Sequence, residues 1–70
     1  MNPHDLRHEL EQYRQKGISL NLEGFPSSPS EIVHAHLIAE DGGYMRDYIQ
    51  NEKGEIRKID FDRINTRGLR

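Results

Sequence analysis

Cysteine and tryptophan are both absent from this 70-residue chain, and only five residues are aromatic, three tyrosines and two phenylalanines. A chain without cysteine has neither a disulfide framework nor a thiolate zinc site. Long hydrophobic runs are also missing. No segment approaches the ~18 apolar residues of a membrane helix, and the first residues do not resemble a signal peptide. We therefore expect a cytoplasmic protein that makes no membrane contact.

The length predicts a single small domain spanning residues 1–70. Only 33% of the residues are hydrophobic, and a chain this short buries about 60% of its unfolded surface, so its stability is marginal. The remaining stabilisers that this composition allows are helix capping, self-association and a metal held by histidine and carboxylate side chains, and self-association ranks above the metal. The size and high charge are typical of short accessory proteins of bacteria.

The net charge of -2 hides an asymmetry between the two parts of the chain. Residues 1–52 hold four basic and nine acidic residues, whereas residues 53–70 hold six basic and three acidic residues. Such a separation favours head-to-tail association or an acidic partner. Residues 66–70 are predicted to form a flexible basic tail.

A first helix is predicted over residues 3–16. Asn2 suits the N-cap position, Pro3 suits the first helical position, and Gly17 suits the left-handed position after the C-terminus. One apolar stripe follows at helical spacing: Leu6, Leu10 and Tyr13. Residues 18–23 then alternate between apolar and polar side chains as a strand does, and residues 24–29 are predicted to form a loop.

Residues 29–41 carry two conflicting signals. Ser28 and Glu31 have the spacing of a capping box, which favours a helix of about twelve residues ending before Gly42. Alternating apolar residues favour a strand instead: Val33, Ala35, Leu37 and Ala39. The capping signal has a definite local mechanism, so we predict a helix and keep the strand as the alternative.

An antiparallel β-hairpin is predicted over residues 44–61. A type I turn at Asn51–Gly54, with Gly54 left-handed, gives a three-residue loop with a G1 bulge. In the resulting register Met45 lies opposite Phe61 on the buried face. The exposed face then pairs Arg46 with Asp60 and Tyr48 with Lys58.

The weak point of that register is Asp47, which would lie opposite Ile59 on the buried face. A four-residue loop would change the pairing, and a slip of one residue would exchange the two faces of the hairpin. Residues 60–65 are predicted to close as a turn of helix. Together the elements predict an α+β fold with the helices on one face of a three- or four-stranded sheet.

The predicted hairpin also carries the candidate binding residues. Tyr44, Arg46 and Tyr48 share one face of a strand, which places aromatic rings around a guanidinium. Basic groups extend this candidate face: Lys58, Arg63 and Arg67. We predict a protein partner or self-association; the alternative is a nucleic acid, which the negative net charge disfavours.

Four histidines give a further alternative, a metal-binding module. His4 and His8 have i, i+4 spacing on the first helix, which places them on the same side. His34 and His36 would share a side if their segment were a strand, but not if it were a helix. These are weak candidates, and we predict no cofactor. The chain lacks a cysteine nucleophile and a nucleophile-elbow serine, so we predict that it is not an enzyme.

Overall fold

The computed structural model describes residues 2–39 and 42–65, and within these ranges it contains two helices and four strands. The elements, in chain order, are α1 (Pro3–Gln15), β1 (Ser19–Leu22), β2 (Phe25–Pro26), α2 (Pro29–Ile38), β3 (Gly42–Gln50) and β4 (Ile56–Asn65). Neither helix is long and apolar enough to cross a membrane. The predicted flexible tail at 66–70 lies outside the described residues.

Helix α1 begins and ends at the residues that its caps predict. The side chain of Asn2 accepts a hydrogen bond from the backbone N–H of His4 at 2.9 Å, which satisfies one of the free donors of the first turn. Pro3 occupies the first helical position. Gly17 has φ of 84°, a left-handed conformation that glycine adopts without strain. The predicted helix over 3–16 is confirmed to within one residue.

Residues 29–38 form a helix, as the capping box predicts. The Ser28 hydroxyl accepts the backbone N–H of Glu31 at 3.2 Å, and the Glu31 carboxylate accepts the backbone N–H of Ser28 at 2.8 Å. The strand alternative is wrong, because these reciprocal bonds fix the first turn of α2. The helix ends at Ile38, three residues earlier than predicted.

The sheet is mixed, with the strand order β2-β1-β4-β3. β1 is parallel to β4, and β3 is antiparallel to β4. The short β2 lies in the segment predicted to be a loop and pairs antiparallel with β1. β4 continues to Asn65, so the helical turn predicted over 60–65 is wrong: those residues pair with β3 instead.

Both helices pack on one face of the sheet, and the core lies between the two layers. Among the described residues, Phe61, Ile59, Leu10 and Ile32 are completely buried. Leu6, Leu20 and Val33 complete the buried cluster. The predicted α+β fold, with its helices on one side of a four-stranded sheet, is confirmed.

The hairpin turn also forms as predicted. Gly54 has φ of 82°, and its backbone N–H donates to the carbonyl of Asn51 at 3.0 Å. The backbone N–H of Asn51 donates to the carbonyl of Glu55 at 2.8 Å, which closes a three-residue loop. The Asn51 side chain accepts two more backbone N–H groups, from Lys53 and Glu55.

The predicted register is nevertheless wrong beyond the turn. Gln50 pairs with Ile56, but the next pair is Ile49 with Lys58, so Arg57 has no partner and forms a second bulge. From this point the pairing is shifted by one residue. Arg46 lies opposite Phe61, and Tyr48 lies opposite Ile59.

The second bulge resolves the conflict at Asp47. Without it, Asp47 would face the core beside Ile59, and an unpaired carboxylate is costly to bury. With it, Asp47 lies opposite Asp60 and is exposed to solvent. The slip therefore exchanges the faces of β3: Tyr44, Arg46 and Tyr48 now point toward the helices.

Candidate interaction surface of the hairpin

The inner face of β3, which carries the predicted binding residues, is held against α1 by a bidentate ion pair. The two guanidinium nitrogens of Arg46 donate to the carboxylate oxygens of Glu9 at 2.8 and 3.0 Å. Arg46 also donates to the hydroxyl oxygen of Tyr48 at 3.1 Å, and its guanidinium lies 5.4 Å from the centre of the Phe61 ring. Arg46 is thus engaged within the fold.

The ion pair sets the titration of its neighbours. The hydrogen bonds from Arg46 hold the pKa of Glu9 below its usual value, although partial burial opposes this shift. Tyr13 donates its hydroxyl to Glu9 at 3.1 Å. Burial, reinforced by that hydrogen bond to a carboxylate, raises the pKa of Tyr13. The pKa of Arg46 is also raised, chiefly by its hydrogen bonds to Glu9.

Tyr44 packs against α2 through His36. The two ring centres are 4.7 Å apart, and the His36 ring meets Phe61 edge-on at 5.6 Å. The Nδ1 atom of His36 lies 2.7 Å from the carbonyl oxygen of Ile32, to which it donates as N–H. His36 is therefore a packing residue between helix and sheet.

The predicted binding residues are consequently divided between two faces. Tyr44, Arg46 and Tyr48 lie together on the inner face, where the exposed Arg63 pairs with Tyr44. Lys58 lies on the outer face opposite Ile49 and is 3.8 Å from the carboxylate of Asp60. Arg67 lies outside the described residues.

The outer face of the hairpin presents residues that the predicted register placed in the interior. The Met45 side chain is 55% exposed, and Ile49 and Ile64 are half-buried on the same face. No described helix covers them. The signal that identifies this face from sequence is Asp47, which the predicted register could not accommodate.

Three aspartates make the outer face acidic. Asp47 lies directly opposite Asp60, and Asp62 is the next outward residue along β4. Asn21 donates to the Asp60 carboxylate at 3.0 Å, and the ammonium group of Lys58 lies 3.8 Å from the same carboxylate. Within residues 2–39 and 42–65, no three histidine or carboxylate side chains converge as metal ligands.

The side of β3 that does not pair with β4 is the outer edge of the sheet. Along this edge, backbone N–H and C=O groups point away from the sheet. The carbonyl of Phe61 accepts the N–H of Glu23 at 2.8 Å, on the β1 side of β4. The backbone N–H and C=O groups of Phe61 therefore point away from β3, so Phe61 and Arg46 form a non-hydrogen-bonded pair. By alternation, the N–H and C=O groups of Tyr44, Arg46 and Tyr48 point outward, where no described strand pairs with them.

The opposite edge of the sheet is much shorter. β2 has two residues, and one of them is Pro26. Proline has no backbone N–H to offer to another strand, and short edge strands resist further pairing. The two edges of the sheet therefore differ in their capacity to accept a new strand.

The remaining histidine candidates lie on the two helices. His34 and His36 are on the helix α2, where two residues of i, i+2 spacing point in different directions. His8 is hydrogen-bonded to Gln12 at 3.0 Å, and His4 is exposed in the first turn of α1.

An open groove of about 510 Å³ lies between the end of α1 and the β1–β2 edge. Arg14 is the one charged residue among those that line it, and the rest are apolar, amide, hydroxyl or glycine residues. The groove has no pair of groups suited to acid–base catalysis.

Comparison with known proteins adds no assignment: no protein-family model, curated protein or solved structure matches this chain.

Proposed function

We propose that this chain is a small non-enzymatic interaction protein of the cytoplasm, which binds a protein partner or a second copy of itself through its hairpin. The binding surface consists of the outer edge of β3 and the outer face around Met45. The observation that carries the proposal is the nine-residue β3 with outward-pointing backbone groups along one side. A strand of this kind is a template for pairing with another chain.

The side chains of β3 support a role for its edge rather than its inner face. Tyr44 and Arg46 are occupied by His36 and Glu9, so neither is free to form a binding platform. The outer face adds the exposed Met45, an apolar residue that gains from being covered. Its aspartates repel phosphate, and for this reason we do not propose a nucleic acid as the partner.

A matched pair of variants tests whether the backbone edge is the binding element. Tyr48→Pro removes an outward N–H without breaking a bond between β3 and β4, whereas Tyr48→Ala removes the same side chain and keeps the N–H. The full chain is immobilised, and proteins retained from an extract of its native cells are compared, together with the chain's own mass in solution.

We expect Tyr48→Pro to abolish the binding that Tyr48→Ala retains, with both variants folded by circular dichroism. Equal binding by the two variants would show that the backbone edge is not used. An absence of both a retained protein and any concentration dependence of mass in the wild type would overturn the proposal as a whole.

A further inference from the structure

We infer that the partner of the β3 edge is a second copy of this chain, paired antiparallel about a two-fold axis that passes at Met45. The inference rests on the proposed function, because it names the partner of the same edge. Two β3 strands would join their sheets into one continuous sheet, with all four helices on the same side.

Backbone geometry restricts the registers that two copies can adopt. Outward-pointing residues of one β3 must lie opposite outward-pointing residues of the other, since only these have free N–H and C=O groups. In β3 these are alternate residues, Tyr44, Arg46 and Tyr48. The two-fold axis of a symmetric dimer must then pass between one residue and its own copy.

Side-chain charge distinguishes among these registers. An axis at Arg46 places two guanidinium groups opposite each other, and an axis at Asp47 does the same with two carboxylates, which is unfavourable. An axis at Tyr44 or Tyr48 shortens the overlap of the two strands and, at Tyr48, sets Asp47 against an isoleucine.

An axis at Met45 avoids these conflicts. The two exposed Met45 side chains meet on the outer face, where their apolar surface is covered. On the inner face, Tyr44 of each copy lies opposite Arg46 of the other, so the two guanidinium groups, each held by Glu9 of its own copy, do not face each other. Asp47 lies opposite Gly43, so no like charges are brought together. Residues 42–48 of both strands take part.

The β3 edge also lacks several of the features that keep edge strands apart, and its inward-pointing charge, Arg46, is paired with Glu9. Residues 42–50 contain no proline and no lysine, and the bulge of this hairpin lies in β4 at Arg57. Lysine, proline and bulges on the edge strand are the usual means of preventing such pairing. The β2 edge, with Pro26, has this protection.

The first experiment measures mass against concentration by sedimentation or light scattering. We expect the wild type to convert from monomer to dimer with a dissociation constant in the micromolar to millimolar range, because edge pairing buries a small area. Met45→Lys places two lysines at the axis and raises the dissociation constant at least about tenfold. Leu37→Lys is the matched control: Leu37 is 56% exposed on α2, close to the 55% of Met45, and its replacement leaves the dimer unchanged.

The second experiment uses the absence of cysteine from the native chain. Across the axis the two residues at position 45 are a non-hydrogen-bonded pair with Cα atoms about 4.5 Å apart, within the range that a disulfide spans. The two residues at position 47 are about 14 Å apart, since they are offset by four positions along the paired strands and the strands lie ~4.8 Å from each other. Under mild oxidation, Met45→Cys forms a disulfide-linked dimer and Asp47→Cys does not.

Each result has a defined consequence. A wild type that stays monomeric up to about 1 mM overturns the self-pairing. A disulfide in Asp47→Cys but not in Met45→Cys overturns the register. The register is also overturned if Met45→Lys and Leu37→Lys change the mass in solution equally. A monomeric wild type that still retains a cellular protein, with loss in Tyr48→Pro, would overturn only the self-pairing and leave the proposed function standing.

Discussion

The two faces of β3 have opposite roles. On the inner face, Arg46 and Tyr44 are bound by residues of α1 and α2, so their aromatic and cationic chemistry stabilises the fold. On the outer face, Met45 and Asp47 contact no helix in the described part of the chain and are exposed. The difference shows that residue type does not decide which side chains are available for binding. The face of the sheet on which a residue lies decides whether its side chain is available, and here a single bulged residue, Arg57, sets the faces of β3.

The largest expected difference between the two faces of the hairpin comes from replacing one large apolar residue on each: Phe61 of β4 on the inner face and Met45 of β3 on the outer face. Phe61→Ala, on the inner face, should lower the free energy of unfolding by about 3–5 kcal/mol, because Phe61 is completely buried in the central strand. That is comparable with the whole stability of a small domain. Met45→Ala, on the outer face, should change it by less than about 0.5 kcal/mol. Urea unfolding measures both, and a similar loss for the two variants would contradict the assignment of faces.

The ion pair between α1 and the inner face provides a second, smaller test. Arg46→Ala should lower the free energy of unfolding by about 1–2 kcal/mol at pH 7, since it removes charge-assisted hydrogen bonds from a partly exposed site. Glu9→Gln should have a smaller effect. The matched control is Glu11→Gln on the same helix: its contact with Arg7 is exposed and 3.4 Å long, so its loss should be within about 0.5 kcal/mol.

The pH dependence of the same pair follows from the lowered pKa of Glu9. A carboxyl whose pKa is lower in the folded state stabilises the fold above its unfolded value, here 4.5, and loses this effect as the pH falls through the folded value. The stability difference between wild type and Glu9→Gln should therefore be constant near neutrality and shrink below pH 4.5. A difference that grows on acidification would contradict the ion pair.

The smallest expected effect concerns charge on the outer face. Asp47→Asn removes one of two directly opposed carboxylates and should raise the free energy of unfolding by about 0.2–1 kcal/mol at low salt. The gain should decrease with added salt, which screens exposed charges. Asp5→Asn is a control of opposite sign, because Asp5 lies in the first turn of α1 and interacts favourably with the helix dipole. If both variants shift stability in the same direction, cross-strand repulsion is not the cause.

Local signals predicted the elements whose structure depends on a few neighbouring residues. The caps at Asn2 and Ser28 fix the starts of both helices, and Gly54 fixes the hairpin turn. Each of these contacts lies within four residues of its partner, so the relevant physics is contained in a short segment. For this reason the helix over 29–38 could be chosen against a competing alternating pattern.

Contacts between distant residues could not be predicted in the same way. Glu9 and Arg46 are separated by 37 positions, and no local pattern indicates that they meet. The sequence indicates the bulge at Arg57 only indirectly: in a hairpin without it, Asp47 would face the core. Because a bulge reverses the facing of the residues beyond it relative to the partner strand, one missed residue moved Tyr44, Arg46 and Tyr48 from the outside of the hairpin to the inside.

The central position of β4 has a consequence for the order of events during synthesis. β1 and β3 are not paired with each other; each is hydrogen-bonded to β4, residues 56–65. A nascent chain that has emerged only as far as the hairpin turn can form its helices and the short β1–β2 pair, but it has no central strand on which to bury them. The buried core around Leu20 therefore cannot be completed until Ile59 and Phe61 have been synthesised.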